Sequence, residues 1–451
     1  MRTHLATFLE RAEAAGGLPG FVRNELLAYL DCGQLANGFA RVRCDACGHD
    51  RLVAFSCKGR AFCPSCGGRR MADSAAWLVD HVLLDVPVRQ WVLTLPWDLR
   101  RRVAFDAKLC SALLRIFLRT VGDWLAAVVP GLTVPSAGKH GAVTFIQRAG
   151  SALNLNPHFH SLVPHGLYEL GADGEVSFHQ APPPSTREIQ EITALIATRI
   201  TEHMRRVDAA SEEDAQALVA CADASVSHRK LLGEGAGGRE DRVREEAVAT
   251  PPVPARCATV AGFNLHAGVN VEAGDTETLE RLARYVARGP VANERLRDLP
   301  DGRIALDFHH RWRDGTTGIV LDPLDLISRL AALVPPPRQN LLRYHGAFAS
   351  ASPLRPHLIG QPPVNVASAR GLQRPKRPPS RRRLLWAELM RRVFGLEVLE
   401  CPMCGGQARV IALINEPTAI RAILRHLGLP TRALPLCPAR APPDPSEDVA
   451  A

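Results

Sequence analysis

Four cysteines near the N-terminus constrain the fold of this chain more than any other feature of its sequence. Cys44 and Cys47 form one pair and Cys63 and Cys66 form another, in the pattern C-x2-C-x15-C-x2-C. Two residues between paired thiolates allow a tight turn to direct both sulfur atoms at one ion, and a glycine follows each pair. Because no secretion signal is evident at the N-terminus, disulfides are not expected. The spacing therefore predicts that these four cysteines bind one structural zinc ion.

Three further potential ligands lie in or beside this segment. Cys32 lies just upstream, whereas His49 and Cys57 lie between the two pairs. Each is an alternative to one of the four predicted zinc ligands.

A third cysteine pair, Cys401 and Cys404, lies near the C-terminus and is followed by two glycines. It has the form of half a zinc site. It could bind a second metal ion together with His426 or Cys437, or it could be a simple turn.

The charge balance favours an anionic partner. The 451 residues include 55 Lys and Arg against 46 Asp and Glu, and the formal net charge is +9. Nucleic acid is the commonest partner of such basic proteins. Basic residues are concentrated in the zinc segment and in the Pro- and Arg-rich interval 351–383. This interval is predicted to contact phosphates, and the alternative interpretation is a solvated linker. The residues predicted to contact DNA are Arg43, Lys58, Arg60, Arg69, Arg70, Arg381, Arg382 and Arg383.

Two histidines separated by one apolar residue are the main candidates for catalytic chemistry. His158 and His160 lie in a β-like run, where strand periodicity places both imidazoles on one face and Phe159 on the other. The preceding predicted strand carries Gln147, whose amide oxygen could be a third ligand of a divalent ion. On its own the His-x-His pattern is weak, since such a pair is usually two ordinary polar side chains.

A tyrosine farther along the chain is the candidate nucleophile. Tyr285 and Arg288 are predicted to lie one turn apart on one face of a helix over 276–288, which the Gly289-Pro290 pair terminates. A phenol beside a bound phosphate can attack phosphorus, and a neighbouring guanidinium can neutralise the charge that develops. The chain has only 4 tyrosines, so there are few competing candidates.

Taken together and in this order, these motifs resemble those of the HUH endonucleases, which are named for the His-hydrophobic-His pair and nick single-stranded DNA with a tyrosine. Nearly the whole chain resembles the rolling-circle transposases of the insertion sequence ninety-one family, in particular their single-tyrosine branch, the insertion sequence common region elements. The matching stretches include the cysteine module and the segments 55–60, 88–93, 156–162, 265–269, 284–290, 343–346 and 401–406.

The resemblance implies an α+β fold. We expect a central antiparallel sheet flanked by helices, preceded by a zinc-ribbon module and followed by a helical C-terminal region. The implied domains are N-terminal helices (1–40), the zinc module (41–75), the catalytic domain (76–350, with 232–256 as a mobile insertion), a basic linker (351–383) and the C-terminal region (384–451).

The resemblance also implies roles for the site residues. His158 and His160 hold the catalytic ion with Gln147, and His266 is the rival third ligand. Tyr285 is the nucleophile and Arg288 assists it. Positions 281 and 289 are Arg and Gly, so this helix has no second tyrosine.

The implied function is a DNA transposase that nicks and rejoins single-stranded DNA at element ends through a 5′-phosphotyrosine. Such an enzyme needs structural Zn2+ and catalytic Mg2+ or Mn2+ but no nucleotide cofactor, and we find no phosphate-binding loop motif. We expect a cytoplasmic, nucleoid-associated location and no membrane partner. The alternatives are a catalytically inactive zinc-dependent DNA-binding protein and, less favoured, a zinc hydrolase that uses His158 and His160.

Overall fold

The computed structural model describes residues 1–83, 85–132, 138–207, 216–232, 235–245, 254–359, 387–388, 391–392 and 397–440. Most of the basic interval 351–383, including Arg381, Arg382 and Arg383, lies outside the described residues, so the predicted DNA-contacting role of these three arginines stays a prediction.

Helices and antiparallel strands alternate irregularly along the chain, as the α+β prediction requires. The helices are α1 (Leu5–Ala14), α2 (Gly20–Asp31), α3 (Pro64–His81), α4 (Trp97–Phe105), α5 (Ala107–Val128), α6 (Thr186–Arg206), α7 (Gln216–Val226), α8 (Thr276–Ala287), α9 (Pro323–Leu333), α10 (Arg355–Leu358) and α11 (Pro417–His426). The strands are β1 (Phe39–Cys44), β2 (Asp50–Ala54), β3 (Val88–Thr94), β4 (Gly141–Ala149), β5 (Leu155–Pro164), β6 (Gly166–Leu170), β7 (Val176–Gln180), β8 (Asp241–Arg244), β9 (Cys257–Val260), β10 (Phe263–His266), β11 (Asn270–Val271), β12 (Leu296–Asp298), β13 (Ile304–Asp307), β14 (Thr316–Leu321), β15 (Leu342–Gly346) and β16 (Ala408–Ile414). None of the described helices is long and apolar enough to cross a membrane.

A central antiparallel sheet organises the middle of the chain. Its strand order is β15-β4-β5-β3-β10-β9, and β11 pairs with β3. The strand β5, which carries His158 and His160, therefore lies inside the sheet between β4 and β3. The predicted α+β class with a central antiparallel sheet is confirmed.

Apolar side chains on both faces bury this sheet between two layers of helices. On one face Trp91 and Phe159 pack against α5 and α6, and the ring of Phe159 stacks on Phe117 with centroids 6.4 Å apart. On the other face Val143 and Leu162 pack against α3 and α8. The period of two along β5 thus places Phe159 in one core and both histidines on the opposite face, as predicted.

The sequence of α8 determines which side of this helix faces the solvent. Leu279, Leu282, Ala283 and Val286 recur at helical spacing and are all buried, and the side chain of Asp275 caps the helix by accepting from the backbone N–H of Thr278 at 3.0 Å. Tyr285 falls outside this apolar stripe.

A second, smaller sheet joins the two ends of the chain. Its strand order is β16-β1-β2, so a C-terminal strand pairs with the first strand of the cysteine module. Beside this sheet Phe39 of β1 packs with Ile420 and Leu424 of α11 in a separate small core. The described C-terminal residues thus comprise helix α11 and also strand β16, which sequence periodicity did not predict.

The mobile insertion expected at 232–256 stays a prediction, although its described central part contains strand β8. Strand β8 pairs with β14 in the four-stranded sheet β12-β13-β14-β8. Just before β8, the buried carboxylate of Glu240 binds the Arg329 guanidinium at 2.9 Å and His228 at 3.0 Å. A charged, glycine-punctuated sequence resembles a loop, but here its charges are paired within the fold.

A buried histidine makes the stability of the fold depend on pH. His165 is only 3% exposed, and burial together with the nearby Arg89 guanidinium lowers its pKa to about 4. Since the unfolded chain binds this proton near pH 6.5, stability is complete above that pH and falls as the pH drops toward 4. We expect a loss of about 3 kcal/mol from this group alone.

Urea unfolding of the wild type and of His165→Gln at neutral pH and near pH 4 would check this expectation. The variant should lose much less stability than the wild type on acidification. His426→Gln, on the exposed face of α11, is the matched control and should follow the wild type. Equal losses in the wild type and in His165→Gln would contradict the assignment.

Candidate active site and cysteine clusters

The two histidines of β5 lie side by side on the α3/α8 face of the central sheet. Their ring centroids are 4.9 Å apart, and the rings meet edge-on at 61°. His160 is 5% exposed, whereas His158 is half-buried. This juxtaposition is the one that the strand periodicity predicts.

The neighbouring strands place the two rival third ligands differently. Gln147 of β4 lies directly opposite His158 in the register, so both side chains share one face at adjacent positions. His266 of β10 is opposite Val92, which is in turn opposite His160, so two strand spacings of about 4.8 Å separate the two histidines. Among the described residues, His158, His160 and His266 do not bring three nitrogen ligands within 4.8 Å of one another.

Hydrogen bonds fix the orientation of the three candidate ligands. The Nδ1 atom of His158 is 2.7 Å from the carbonyl oxygen of Asn156, to which it donates. The side-chain amide of Gln90 is 2.9 Å from Nδ1 of His160. The Gln147 amide nitrogen donates to the carbonyl oxygen of Val286 at 2.8 Å, which leaves its own oxygen free to act as a ligand.

The electrostatic environment keeps both imidazoles neutral. Burial is the main cause that lowers the pKa of His158, and the guanidiniums of Arg100 and Arg288 lower it further. Burial and the adjacent His158 hold the pKa of His160 well below its usual range. Neutral imidazoles have a lone pair available, so both rings can act as metal ligands at neutral pH.

Tyr285 lies directly beside this pair. Its ring centroid is 6.1 Å from that of His160, with the planes at 77°. The tyrosine is 45% exposed, so a large substrate can reach it. It lies at the C-terminal end of α8, one residue before Val286, and the bond from Gln147 to Val286 links this helix to the strand that precedes the histidines.

Arg288 reaches Tyr285 by a different route from the predicted one. Helix α8 ends at Ala287, and Arg288 has extended backbone angles, so the two side chains do not lie one helical turn apart. The helix stops before the Gly289-Pro290 pair because proline disfavours a helical conformation at the preceding residue. The Arg288 guanidinium nevertheless lies over the Tyr285 ring, 4.4 Å from its centroid.

The histidines and the tyrosine open into a large cleft with a basic lining. Its volume is about 800 Å3. The walls come from the start of α3, the ends of β4 and α8, and the segment before β14. The polar and aromatic residues that line it include Arg60, Arg70, Arg288, Arg295, His309, His310, Arg311 and Trp312.

The predicted DNA-binding residues of the zinc segment divide into two groups. Arg60 and Arg70 line the cleft, and Arg70 donates to the carbonyl oxygen of Gly59 at 2.6 Å. Arg43, Lys58 and Arg69 are exposed but lie outside the cleft.

The twelve cysteines include two clusters of four thiols. The prediction that the first two cysteine pairs together bind one zinc ion is wrong, because each pair belongs to a different cluster. Cys63 and Cys66 lie with Cys32 and Cys57, whereas Cys44 and Cys47 lie with the C-terminal Cys401 and Cys404. In each cluster all four sulfur atoms are within 4.8 Å of one another. The residues considered as spare ligands, Cys32 and Cys57, are therefore members of a cluster, whereas His49, His426 and Cys437 are not.

The cluster of Cys32, Cys57, Cys63 and Cys66 fits a structural zinc ion. The Cys32–Cys63 and Cys57–Cys66 sulfur separations are both 3.5 Å. Four thiolates at Zn–S bonds of 2.3 Å form a tetrahedron with edges of about 3.8 Å. Backbone N–H groups of Cys57 and Gly59 point at sulfur atoms of the cluster, at 3.4 and 3.3 Å.

This cluster lies beside the cleft that contains the tyrosine. Cys63 is the residue immediately before α3 and Cys66 lies in its first turn, so the cluster lies at the point where this helix begins. The backbone of Gly67 then packs against that of Gly289, since a Cβ atom on Gly67 would lie 3.6 Å from the Cα of Gly289. The cysteine module thus forms part of the wall of the cleft.

Sequence reasoning missed several residues of the site. Gln90 contacts His160 from β3, and a lone glutamine in an apolar strand gave no signal for this role. His309, His310 and Trp312 also line the cleft, and none of the three was among the predicted site residues. The run His309-His310-Arg311-Trp312-Arg313 could have indicated them, because basic residues beside an aromatic residue are typical of nucleic-acid contacts.

Comparisons with known proteins agree with this architecture. Residues 1–95 match the family described as "Transposase zinc-binding domain", which is named for the insertion sequence ninety-one transposases. Residues 141–355 match the family described as "Putative transposase". A relative from Sinorhizobium fredii, described as "Putative transposase y4qJ", is 24% identical over 336 residues, which cover 72% of this chain and 73% of the relative. No solved structure matches significantly.

Proposed function

We propose that this chain, which resembles the insertion sequence ninety-one transposases and carries their zinc-binding domain, nicks and rejoins single-stranded DNA at the ends of a mobile element. The nucleophile of the proposal is Tyr285, and the covalent intermediate is a 5′-phosphotyrosine. In this proposal the DNA strand binds in the cleft that contains this tyrosine.

The observation that carries the proposal is the contact between Tyr285 and the histidine pair. The ring centroids of the phenol and of the His160 imidazole are 6.1 Å apart. From there the phenol can reach a phosphate that is held at the potential metal site. The other three tyrosines lack this placement: Tyr168 is buried in the core, Tyr29 packs on Phe62 and Tyr344 lies on the edge strand β15.

The residues at the base of the cleft fit a divalent cation. Two neutral imidazoles and one amide oxygen suit a borderline-to-hard ion with open positions for phosphate oxygens, which favours Mg2+ or Mn2+. Binding through the Nε2 atoms requires a proton on both Nδ1 atoms. Asn156 provides the acceptor for His158. At His160 it is the amide nitrogen of Gln90 that lies 2.9 Å from Nδ1, so the Gln90 amide must turn over to present its oxygen when His160 binds the ion through Nε2.

A bound divalent ion would act as a Lewis acid on the scissile phosphate. The protein groups do the remaining work. The Tyr285 oxygen loses its proton and forms a bond to phosphorus, and the bond from phosphorus to the 3′ oxygen breaks. The leaving oxygen takes up a proton and becomes a free 3′-OH.

Arg288 assists because its guanidinium lies over the tyrosine ring, beside the oxygen that attacks, and can stabilise the negative charge that develops on the phosphate. Since the phosphodiester energy is kept in the protein–DNA bond, a 3′-OH can later reverse the step and join strands without a nucleotide cofactor.

The lining of the cleft supports an unpaired strand as substrate. Arg60, Arg70 and Arg295 supply positive charge for backbone phosphates. His309 and His310 are exposed in the lining and offer rings on which a base can stack. A single strand presents its bases for such stacking, whereas a duplex does not.

The position of the label on the DNA tests the proposal directly. We would incubate the purified protein and Mn2+ with single-stranded oligonucleotides tiling the DNA on both sides of its coding sequence. A 3′-labelled oligonucleotide should become covalently attached to the protein, and a 5′-labelled one should yield a free fragment that a polymerase can extend. Trypsin should leave the adduct on the peptide from Tyr285 to Arg288.

Three results would overturn the proposal. Attachment of the 5′-labelled fragment would mean that the polarity is wrong. Cleavage without any adduct, leaving a 5′-phosphate, would indicate a metal-dependent hydrolase. Binding to the oligonucleotides without cleavage would favour the inactive DNA-binding alternative.

A further inference from the structure

We propose that a second zinc ion is bound by Cys44, Cys47, Cys401 and Cys404. This ion holds the C-terminal segment against the N-terminal module. This site lies apart from the cluster of Cys32, Cys57, Cys63 and Cys66. It also extends beyond residues 1–95 and 141–355, which are the matched family regions.

The four sulfur atoms converge in the way a tetrahedral ion requires. The Cys44–Cys404 and Cys47–Cys401 sulfur separations are both 3.6 Å, and all four sulfurs lie within 4.8 Å of one another. A tetrahedral Zn–S4 site has edges of about 3.8 Å. A disulfide would require about 2.05 Å. Four thiolates with no oxygen ligand select zinc over magnesium or calcium.

Both halves of the site have the same local structure, although they are more than three hundred residues apart in sequence. In the first half the N–H of Gly48 donates to the carbonyl of Cys44 at 3.1 Å, and in the second half the N–H of Gly405 donates to that of Cys401 at 2.9 Å. Gly48 and Gly405 have φ angles of +72° and +69°, which residues with a side chain rarely adopt. Two independent stretches thus form the same metal-binding turn and face each other.

The strands that lead to these turns hold them in register. Strand β16 pairs with β1 from Phe39 opposite Ile414 to Cys44 opposite Ala408. The N–H of Asp45 donates to the carbonyl of Gln407 at 3.0 Å. The backbone pairing of the sheet therefore holds the second cysteine pair over the first, and such preorganisation reduces the entropy lost when an ion binds.

Exposure makes the proposal testable on the unmodified protein. Cys47, Cys404 and Cys437 are all exposed, but only the first two belong to the cluster. We would treat the reduced full-length protein with iodoacetamide and map the alkylated cysteines by mass spectrometry, with and without prior removal of zinc by a chelator. Cys437 should react in both samples, whereas Cys47 and Cys404 should react at least about tenfold faster after chelation. Equal reactivity of all three before chelation would overturn the proposal, as would a persistent disulfide.

Zinc content provides the second measurement. The full-length protein should contain two zinc ions per chain. The double variant Cys401→Ser/Cys404→Ser should contain one, and the control Cys437→Ser should contain two. Hydrogen exchange in 408–414 should be faster in the double variant, while that of α3 should not change. Two ions retained in the double variant, or a single ion in the wild type, would contradict the second site.

Discussion

Replacing Tyr285 with phenylalanine is expected to abolish covalent attachment to DNA, with a fall in rate of about 10^4-fold or more. The change removes only the phenol oxygen that attacks phosphorus. The ring stays, and with it the contacts to His160 and Arg288. Binding of a single-stranded oligonucleotide should therefore change little. Denaturing gels of the 3′-labelled adduct measure the first quantity, and fluorescence anisotropy measures the second.

Tyr344→Phe is the matched control for this experiment. Tyr344 is a half-buried residue of β15 whose ring lies beneath the Arg355 guanidinium. The Tyr344→Phe substitution also removes one phenol oxygen, but on the edge strand of the central sheet. It should leave the adduct yield near that of the wild type. If the Tyr285→Phe protein still forms the adduct, or the Tyr344→Phe protein does not, the nucleophile would have to be assigned to another residue.

Replacing His160 with alanine is expected to reduce the rate of nicking by about 10^3-fold and to weaken Mn2+ binding. His160 is buried, its neutral ring lies beside His158, and alanine leaves one imidazole where two are proposed to bind the ion. Loss of a first ligand should exceed the 10–100-fold cost typical of losing an outer-sphere partner. Calorimetric titration with Mn2+, together with nicking rates over a range of Mn2+ concentrations, would measure both effects.

The same titration distinguishes the rival third ligands. Gln147→Ala should weaken Mn2+ binding, because Gln147 lies directly opposite His158. His266→Ala should bind Mn2+ as the wild type does, because His266 lies two strands from His160. The reverse result would assign His266 as the ligand and reject Gln147.

Much of the candidate site could be predicted from the sequence because it depends on local periodicity. The alternation along β5 places His158 and His160 together, and the apolar stripe of α8 leaves Tyr285 outside the core. These inferences need only the strand period of two and the helix period of 3.6. That the two elements meet came from the resemblance to known nickases, since periodicity carries no information about which faces pack together.

The grouping of the cysteines shows why the rest could not be predicted. Spacing identifies each pair, but it does not specify which pairs share an ion. The pairing of β1 with β16 takes Cys44 and Cys47 to the C-terminal pair, and the start of α3 holds Cys63 and Cys66 against Cys32 and Cys57. The first of these contacts is long-range in sequence, and the second depends on the packing of α2 and α3. For this reason the regular C-x15-C spacing was misleading.

The pairing of β1 with β16 also governs the order in which the protein can mature during synthesis. Strand β1 ends at Cys44, but its partner starts at Ala408. While the ribosome is still adding the residues in between, β1 can pair only with β2, and its other edge carries unsatisfied backbone groups. A message that breaks or stops before codon 408 therefore yields a polypeptide whose N-terminal module stays incomplete, even though its tyrosine and both histidines have already been translated.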